Sequence, residues 1–259
     1  MLHVWYHRAL VFVMVCGDSA FFTGKLMMKV GAKFAGLCSL LFLCCGLELA
    51  GGQKNGAWTV SSVLHEMDTS AKDFHSLSAD VERTKVTVVV NDKSTETGTI
   101  RVRGDKMLLE MNAPDARTIL RTGDNLFLYN PGLKRVEEYN LGKNRAMVDE
   151  FLLLGFGTQG KSLERSYSVT VVGEPAIDDR KTVEIELTPK SDAVRKQIAK
   201  VDLWLDPSSW LPVQQQFYET GSGDYSIVKY THVVKNPNIP DSDFKPHWPK
   251  GTERVKPQV

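Results

Sequence analysis

The stretch Gly98-Thr99-Ile100-Arg101-Val102-Arg103-Gly104-Asp105-Lys106-Met107-Leu108-Leu109-Glu110-Met111 decides how this chain folds. Ile100 and Val102 alternate with Arg101 and Arg103, and Met107, Leu109 and Met111 form a second row of the same period. Gly-Asp between two alternating runs is the signal of a two-residue hairpin turn. The segment therefore reads as two antiparallel strands with one apolar face.

The same reading extends in both directions. Upstream, Val86, Val88 and Val90 lead into a turn over Asn91 to Ser94 and then the strand Thr95 to Arg103. Downstream, turn residues at Gly123 to Asn125, Asn130 to Gly132, Asp178 to Arg180, Asp206 to Ser209 and Gly221 to Gly223 separate short strand-like runs. These runs are Thr118 to Arg121, Leu126 to Tyr129, Tyr167 to Val172, Val183 to Leu187, Lys200 to Leu205, Val213 to Tyr218 and Tyr225 to His232. Many short strands at close intervals, with no alternation of strand and long helix, predict antiparallel pairing in a sandwich or barrel.

Two segments break the strand pattern. Val60, Val63, Leu64, Met67, Ala71 and Phe74 fall at helical spacing behind Thr59, a suitable N-cap, and predict an amphipathic helix. Ala146-Met147-Val148 and Phe151 to Phe156 predict a short, very apolar helix stopped by Gly155.

Among 259 residues, 42% are hydrophobic and 24% charged, with 32 Lys+Arg against 31 Asp+Glu, so bulk charge gives no grip on a polyanion and nucleic acid is not an expected partner. Cys16, Cys38, Cys44 and Cys45 all precede residue 46. The rest of the chain carries no thiol for a disulfide, a cysteine-ligated zinc or a cysteine nucleophile.

Phe34 to Leu47 is an apolar run behind Lys25, Lys29 and Lys33, followed by Ala50-Gly51-Gly52-Gln53. A basic region, a short apolar region and small residues before a cleavage point describe an export signal, with cleavage expected before Gln53. Neither Cys44 nor Cys45 follows the small residues that lipidation requires. Met27-Met28-Lys29 makes a natural start, so initiation is expected at Met27 or Met28. Residues 1–52 hold four of the cations and two of the anions, which leaves 28 against 29 in a single expected domain, 53–259.

Gly155-Phe156-Gly157-Thr158-Gln159-Gly160-Lys161-Ser162 matches the phosphate-loop pattern G-x-x-x-x-G-K-[ST]. That motif should join a buried parallel strand to a long helix, whereas only Lys161 to Ser166 remains before a strand-like run. His65, His75, His232 and His247 show no metal-ligand spacing, and no metal or cofactor is expected. Asp202 and Asp206 alternate with Val201, Leu203 and Leu205, which places the carboxylates together on the outer face of one strand.

Apolar surface exceeds what one sheet face needs. Met107, Leu109 and Met111 share a face, as do Phe127 and Tyr129, and Val213 and Phe217. A curved sheet closed by two apolar helices can enclose a greasy cavity, which flexible Met side chains suit.

Several segments carry a family resemblance by their order. They are Ser78-Ala79-Asp80-Val81-Glu82-Arg83, Gly98 to Arg103 with Met107 to Met111, Thr122-Gly123-Asp124-Asn125-Leu126-Phe127-Leu128-Tyr129-Asn130-Pro131, Leu187-Thr188-Pro189-Lys190, and Asp241 to Gly251. In this the chain resembles the LolA-like periplasmic outer-membrane lipoprotein carriers. The resemblance implies a mainly β (α+β) fold, an unclosed antiparallel β-barrel with apolar helices forming a lid over the concave face.

It further implies a non-enzymatic, monomeric periplasmic carrier that holds acyl chains of a lipoprotein or related lipid and delivers them towards the outer membrane. An inner-membrane releasing transporter and an outer-membrane acceptor would be its partners. Arg103 takes the place of the family's lid-holding arginine, though Gly104 follows it instead of proline. Met107 and Leu109 stand where the family has aromatics, and Val81 and Arg83 where it has Phe-x-Gln. The expected cavity lining is Met107, Leu109, Met111, Phe127, Tyr129, Phe151, Leu152, Leu154, Phe156, Leu203, Val213 and Phe217, with residues 146–156 as a lid element. A lipid- or lipoprotein-sensing regulatory module is the second reading, and a nucleotide-binding enzyme using residues 155–162 the third.

Overall fold

The computed structural model describes residues 58–257; the expected export signal and both initiation sites lie outside them. Helix α1 (Val60–Lys72) starts at Thr59, whose hydroxyl accepts from the Ser62 N–H while the Ser62 hydroxyl accepts from the Thr59 N–H. This reciprocal cap satisfies two donors that a helix N-terminus otherwise leaves open.

Six strands then run as consecutive hairpins: β1 (Ser76–Thr87), β2 (Asp92–Arg103), β3 (Lys106–Met111), β4 (Arg117–Thr122), β5 (Asn125–Asn130) and β6 (Arg135–Asn140). Two helices follow, α2 (Arg145–Leu152) and α3 (Gly160–Ser166), then β7 (Tyr167–Gly173), the small ribbon β8 (Ala176–Ile177) and β9 (Arg180–Lys181), and β10 (Val183–Pro189). The single turn α4 (Asp192–Arg195) precedes β11 (Ile198–Leu205), β12 (Pro212–Glu219) and β13 (Tyr225–Lys235), and β14 (Glu253–Val255) ends the described chain.

One twelve-stranded sheet results, in the order β14-β6-β5-β4-β3-β2-β1-β13-β12-β11-β10-β7. All neighbours are antiparallel except β14 and β6. Its two edges, β14 and β7, do not meet, so the curved sheet stays open, as the family resemblance implies. The Gly104-Asp105 hairpin forms as expected, with Arg103 opposite Lys106 and Gly104 at a φ of 58°.

Helices α1, α2 and α3 cover the concave face. Val63, Leu64 and Met67 of α1, Phe151 of α2 and Leu163 of α3 pack on Ile185, Leu187, Leu203 and Phe217. Val148 and Leu152 of α2, with Phe156 behind them, pack on Leu77, Ile100, Val102, Met107 and Ile119. On the convex side, Leu108, Leu120, Phe127 and Val136 are covered by Ile239, Phe244 and Trp248 of the segment leading to β14.

Three local expectations are corrected. The strand through Val86 stops at Thr87, and Val88–Val90 form an exposed 3-10 turn that Asn91 closes at a φ of 50°; the left-handed residue fixes the turn earlier than the Asn91 to Ser94 estimate. Strand β6 was missed because Val136 and Tyr139 are the only apolar residues in Arg135–Asn140. The ribbon β14 was missed for the same reason, being Glu-Arg-Val.

The glycines of residues 155–160 serve packing. A Cβ on Gly157 would stand 2.4 Å from the Phe74 ring, and one on Gly160 would stand 2.5 Å from the Leu64 carbonyl oxygen. Gly160 thus lets α3 approach the backbone of α1. Gly160→Ala is expected to lower unfolding stability by about 1–3 kcal/mol through overpacking, measurable as a lower urea midpoint; an unchanged midpoint would show that the α1–α3 contact yields freely.

Candidate functional site

Between α2 and the sheet lies a cavity of about 40 Å³ lined by Val81, Ile100, Leu109, Met111, Phe217, Val228 and Tyr230 from the strands and by Phe151 and Leu152 from the helix. Space of that size holds about two or three waters at most. Phe151, whose ring centroid is 5.5 Å from that of Phe217, and Leu152 fill the remainder. Arg83, Arg117 and Gln215 are its polar lining.

Polar ties hold α2 over the cavity at two points, just beyond its end and at its middle. At one, Gln215 donates through Nε2 to the Leu154 carbonyl at 2.6 Å and accepts through Oε1 from the Tyr230 hydroxyl at 2.9 Å. Complete burial pushes the Tyr230 phenol above its ordinary pKa, so it stays a neutral donor. At the other, Arg121 is fully buried and grips Asp149 with a fork, Nε to Oδ1 at 2.6 Å and Nη2 to Oδ2 at 2.9 Å. Its third nitrogen donates to the Gly123 carbonyl. Arg145, the first residue of α2, adds a brace at its start, reaching Asp105, Asp124 at 2.9 Å and Asp149 at 3.5 Å.

Arg103 is not among these ties. Ile100 and Val102 face the cavity side, so Arg103 faces the convex side, where it donates to the Ile239 carbonyl, pairs with Asp241 and lies 5.5 Å over the Phe244 ring. The latch expected at Arg103 is thus a clamp on the C-terminal segment, and the helix is held by Arg121 and Gln215.

Of the expected lining, Leu109, Met111, Phe151, Leu152 and Phe217 meet at the cavity. Met107 is buried beneath α2 in the same apolar cluster, Phe156 packs edge-on to Tyr230 at 5.1 Å, and Leu154 and Leu203 belong to the cluster under α1. Val213 is buried on β12 without reaching the cavity. Phe127 and Tyr129 lie on the convex face instead, with ring centroids 5.9 and 5.0 Å from that of Trp248. Leu126 and Leu128 occupy the inward positions of that strand, one residue out of the expected register. The inward residues Val81, Arg83, Arg117, Gln215, Val228 and Tyr230 were missed; Val81 and Arg83 fall two apart on one strand, which marked them as a shared face.

Asp202 sits on the outer face as expected, but it is buried there. Lys200 lies 3.2 Å from its Oδ2, while Oδ1 has no hydrogen-bond partner among the described residues. Burial, then the hydrogen bond with Asp202 and its charge, push the Tyr218 phenol up to about 12. Burial followed by the charge of Asp202 raises the Glu184 carboxyl as well. Among the described residues no three His, Cys, Asp or Glu side chains group as a metal site. The phosphate-loop pattern has no preceding strand, and three of its amides are engaged: Gly155 N–H bonds to Thr158 Oγ1, Phe156 N–H to Leu153, and Ser162 N–H to Gln159.

A family model described as "Uncharacterized protein" matches residues 103–235, just over half the chain. The chain belongs to that family. An uncharacterized protein of Methanocaldococcus jannaschii is 23% identical over 213 residues, which are 82% of this chain and 58% of that protein, so the chain spans less than two thirds of that curated relative. A conserved uncharacterized protein from Thermus thermophilus is 9% identical with a TM-score of 0.50, covering 76% of this chain and 98% of its own; this is a likeness of fold. The chain is also similar to a LolA superfamily protein from Nitrosomonas europaea, 18% identical over 73% of this chain and 99% of that one, with a TM-score of 0.38.

At the far end of the cavity, Glu96 accepts from Arg83 at 2.6 Å and from Arg117 at 2.6 Å. Burial alone would raise the Glu96 carboxyl; the hydrogen bonds and charges of Arg117 and Arg83 reverse this and hold it below its ordinary value of 4.5. Between the folded and unfolded values the unfolded chain binds more protons, so the stability Glu96 contributes is complete above pH 4.5 and is lost as pH falls through the folded value. Thermal melts from pH 6 downwards should therefore fall more steeply for the wild type than for Glu96→Gln; parallel curves would uncouple this carboxylate from stability.

Arg121→Met should destabilise by up to about 3 kcal/mol, below the full range for a broken buried pair because Asp149 keeps Arg145. It should also speed proteolysis within residues 145–159. Arg103→Leu should leave that segment protected and expose residues 236–252 instead, and the reverse pattern would restore Arg103 as the lid latch.

Proposed function

We propose that this protein is a periplasmic, non-enzymatic carrier that buries the acyl chains of a lipoprotein or related lipid beneath α2 and delivers them towards the outer membrane. The observation that carries this reading is an apolar cavity roofed by one short helix, tied down by Arg145 at its start, by Arg121 on Asp149 and by Gln215 just beyond its end. Between those ties only Phe151 and Leu152 occupy the space that a chain would enter.

Loading by this arrangement is burial without chemistry. Each CH₂ taken from water contributes about 0.8 kcal/mol, so one or two acyl chains supply strong binding while Phe151 and Leu152 swing out with the helix. Release then depends on a partner that favours the open lid, which suits a releasing transporter on one membrane and an acceptor on the other. Neither step needs a cofactor. A short helix tied down over the cavity by Arg121 and Gln215 also favours the second reading, a sensing module that changes shape when lipid arrives. Transfer of labelled cargo to acceptor vesicles distinguishes the two, since a sensor retains its ligand.

Native mass spectrometry with lipid extraction, on protein from the periplasm of its own host, is expected to find bound acylated material that is lost on delipidation. Leu109→Arg, which places a charge in the cavity, should lower uptake of a fluorescent acyl probe at least about tenfold with an unchanged circular dichroism spectrum. Normal uptake by that variant would remove the cavity from the mechanism.

A further inference from the structure

Of the six large apolar side chains exposed among the described residues, four stand at one end of the sheet: Val88, Val89 and Val90, which are 49%, 83% and 69% exposed, and Leu133 at 70%. Strands β1 and β5 run the same way through alternate hairpins, so the turns that follow them share this end. A polar cavity of about 400 Å³ lies between the two turns, lined by Thr87 and Asp92 at the foot of one and by Asn130 and Gly132 at the foot of the other.

Both turns are built to hold these side chains out. In the first, the Asn91 N–H donates to the Val88 carbonyl at 3.2 Å, and the Val88 N–H donates to Asp224 Oδ1 at 2.9 Å, which props the tip from the neighbouring β12–β13 hairpin. In the second, the Leu133 N–H donates to Asn130 Oδ1 at 3.0 Å and Lys134 closes the turn at a φ of 49°. A fixed apolar run facing water is unfavourable unless something covers it.

The shape and charge of this end indicate the cover. A 3-10 turn has three residues per turn, so the valines of Val88–Val90 point to three sides of the tip. A rigid protein surface covers one side of such a tip, whereas fluid hydrocarbon surrounds it. Four side chains also fall well short of the roughly 800 Å² that each partner buries in a stable protein complex. The charged residues nearest the tips are Lys85, Lys93 and Lys134 against Asp92, Asp115 and Asp224, with Arg135 paired to Glu137 at 2.9 Å. The end is therefore neutral and offers both signs, as a zwitterionic head group does. We propose that it docks on the surface of a lipid bilayer, with Val88, Val89, Val90 and Leu133 among the acyl chains and the lysine stems reaching back to the head groups. Four small side chains give a weak, reversible attachment. The inference stands on the exposed tips and not on the acyl cavity; combined with the carrier reading, it names the surface that meets the membrane during transfer.

Flotation of the purified protein with phosphatidylcholine vesicles, and with vesicles that also contain phosphatidylglycerol, tests this. The protein is expected to partition onto both, within about threefold of each other and with little response to salt, because the docking end carries no net charge. Val89→Asp should lower partitioning at least about tenfold with an unchanged circular dichroism spectrum, and Val89→Leu should retain it. Val89→Trp should gain fluorescence quenching by vesicles with brominated acyl chains. A wild type that stays in solution, partitioning that Val89→Asp leaves intact, or a Val89→Trp signal that bromine does not quench overturns the docking surface, as does attachment that requires the anionic lipid. Uptake of the fluorescent acyl probe, measured on the same samples, separates the two readings. Val89→Asp should take up the probe normally, whereas a wild type that partitions onto vesicles but takes up no probe overturns the carrier reading and leaves the docking surface standing.

Discussion

The grip of Arg121 on Asp149 is the interaction on which the rest depends. An open sheet with an apolar concave face needs a cover, and α2, at eight residues, is too short to be stable by itself. Its position must come from tertiary contacts. Apolar packing through Val148 and Leu152 supplies area without direction, whereas the fully buried guanidinium fixes the middle of the helix at Asp149. Gln215 then fixes the chain just beyond its end, by using both ends of one amide on the Leu154 carbonyl and the Tyr230 hydroxyl. With these two points set, Phe151 and Leu152, which lie between them, have a defined place over the cavity.

The outer side of the sheet shows the same economy. Strands β3, β4 and β5 are apolar on both faces because they are covered on both, by α2 within and by the segment around Phe244 and Trp248 without. Arg103 and Lys106 meet Asp241 at that segment, so the charges alternating with Val102 and Met107 are used to fasten an outer brace. The brace continues into β14, whose parallel pairing covers the free edge of β6.

That two-sided burial explains what could be read in the residues and what could not. The Gly104-Asp105 hairpin and the capped helix behind Thr59 are local, and each was legible from its own few residues; the helix expected to run up to Gly155 ends already at Leu152. The inward face of Asn125–Asn130 was not, because Leu126 and Leu128 alternate with Phe127 and Tyr129 and both pairs are greasy. Trp248, more than a hundred residues away, decides which pair faces out. Arg103 was assigned by resemblance, although its parity with Val102 already placed it on the other face. Arg121, one residue before the turn Thr122-Gly123-Asp124, carried no local mark of burial; its partner belongs to a helix 28 positions on. The glycine pattern of residues 155–162 was visible, but its cause was the approach of α3 to α1.

The small resting cavity sets an energetic threshold for the carrier reading. Opening α2 means breaking the Arg121–Asp149 fork, up to about 3 kcal/mol since Asp149 keeps Arg145, together with the Gln215–Leu154 bond at about 1 kcal/mol. At about 0.8 kcal/mol per CH₂, about the first five methylenes of a chain only offset the opening. Short chains therefore gain nothing by entering, while long ones gain with every further carbon. A lid tied by a few strong polar contacts thus selects for chain length without measuring it, and cutting one tie lowers the length at which binding begins.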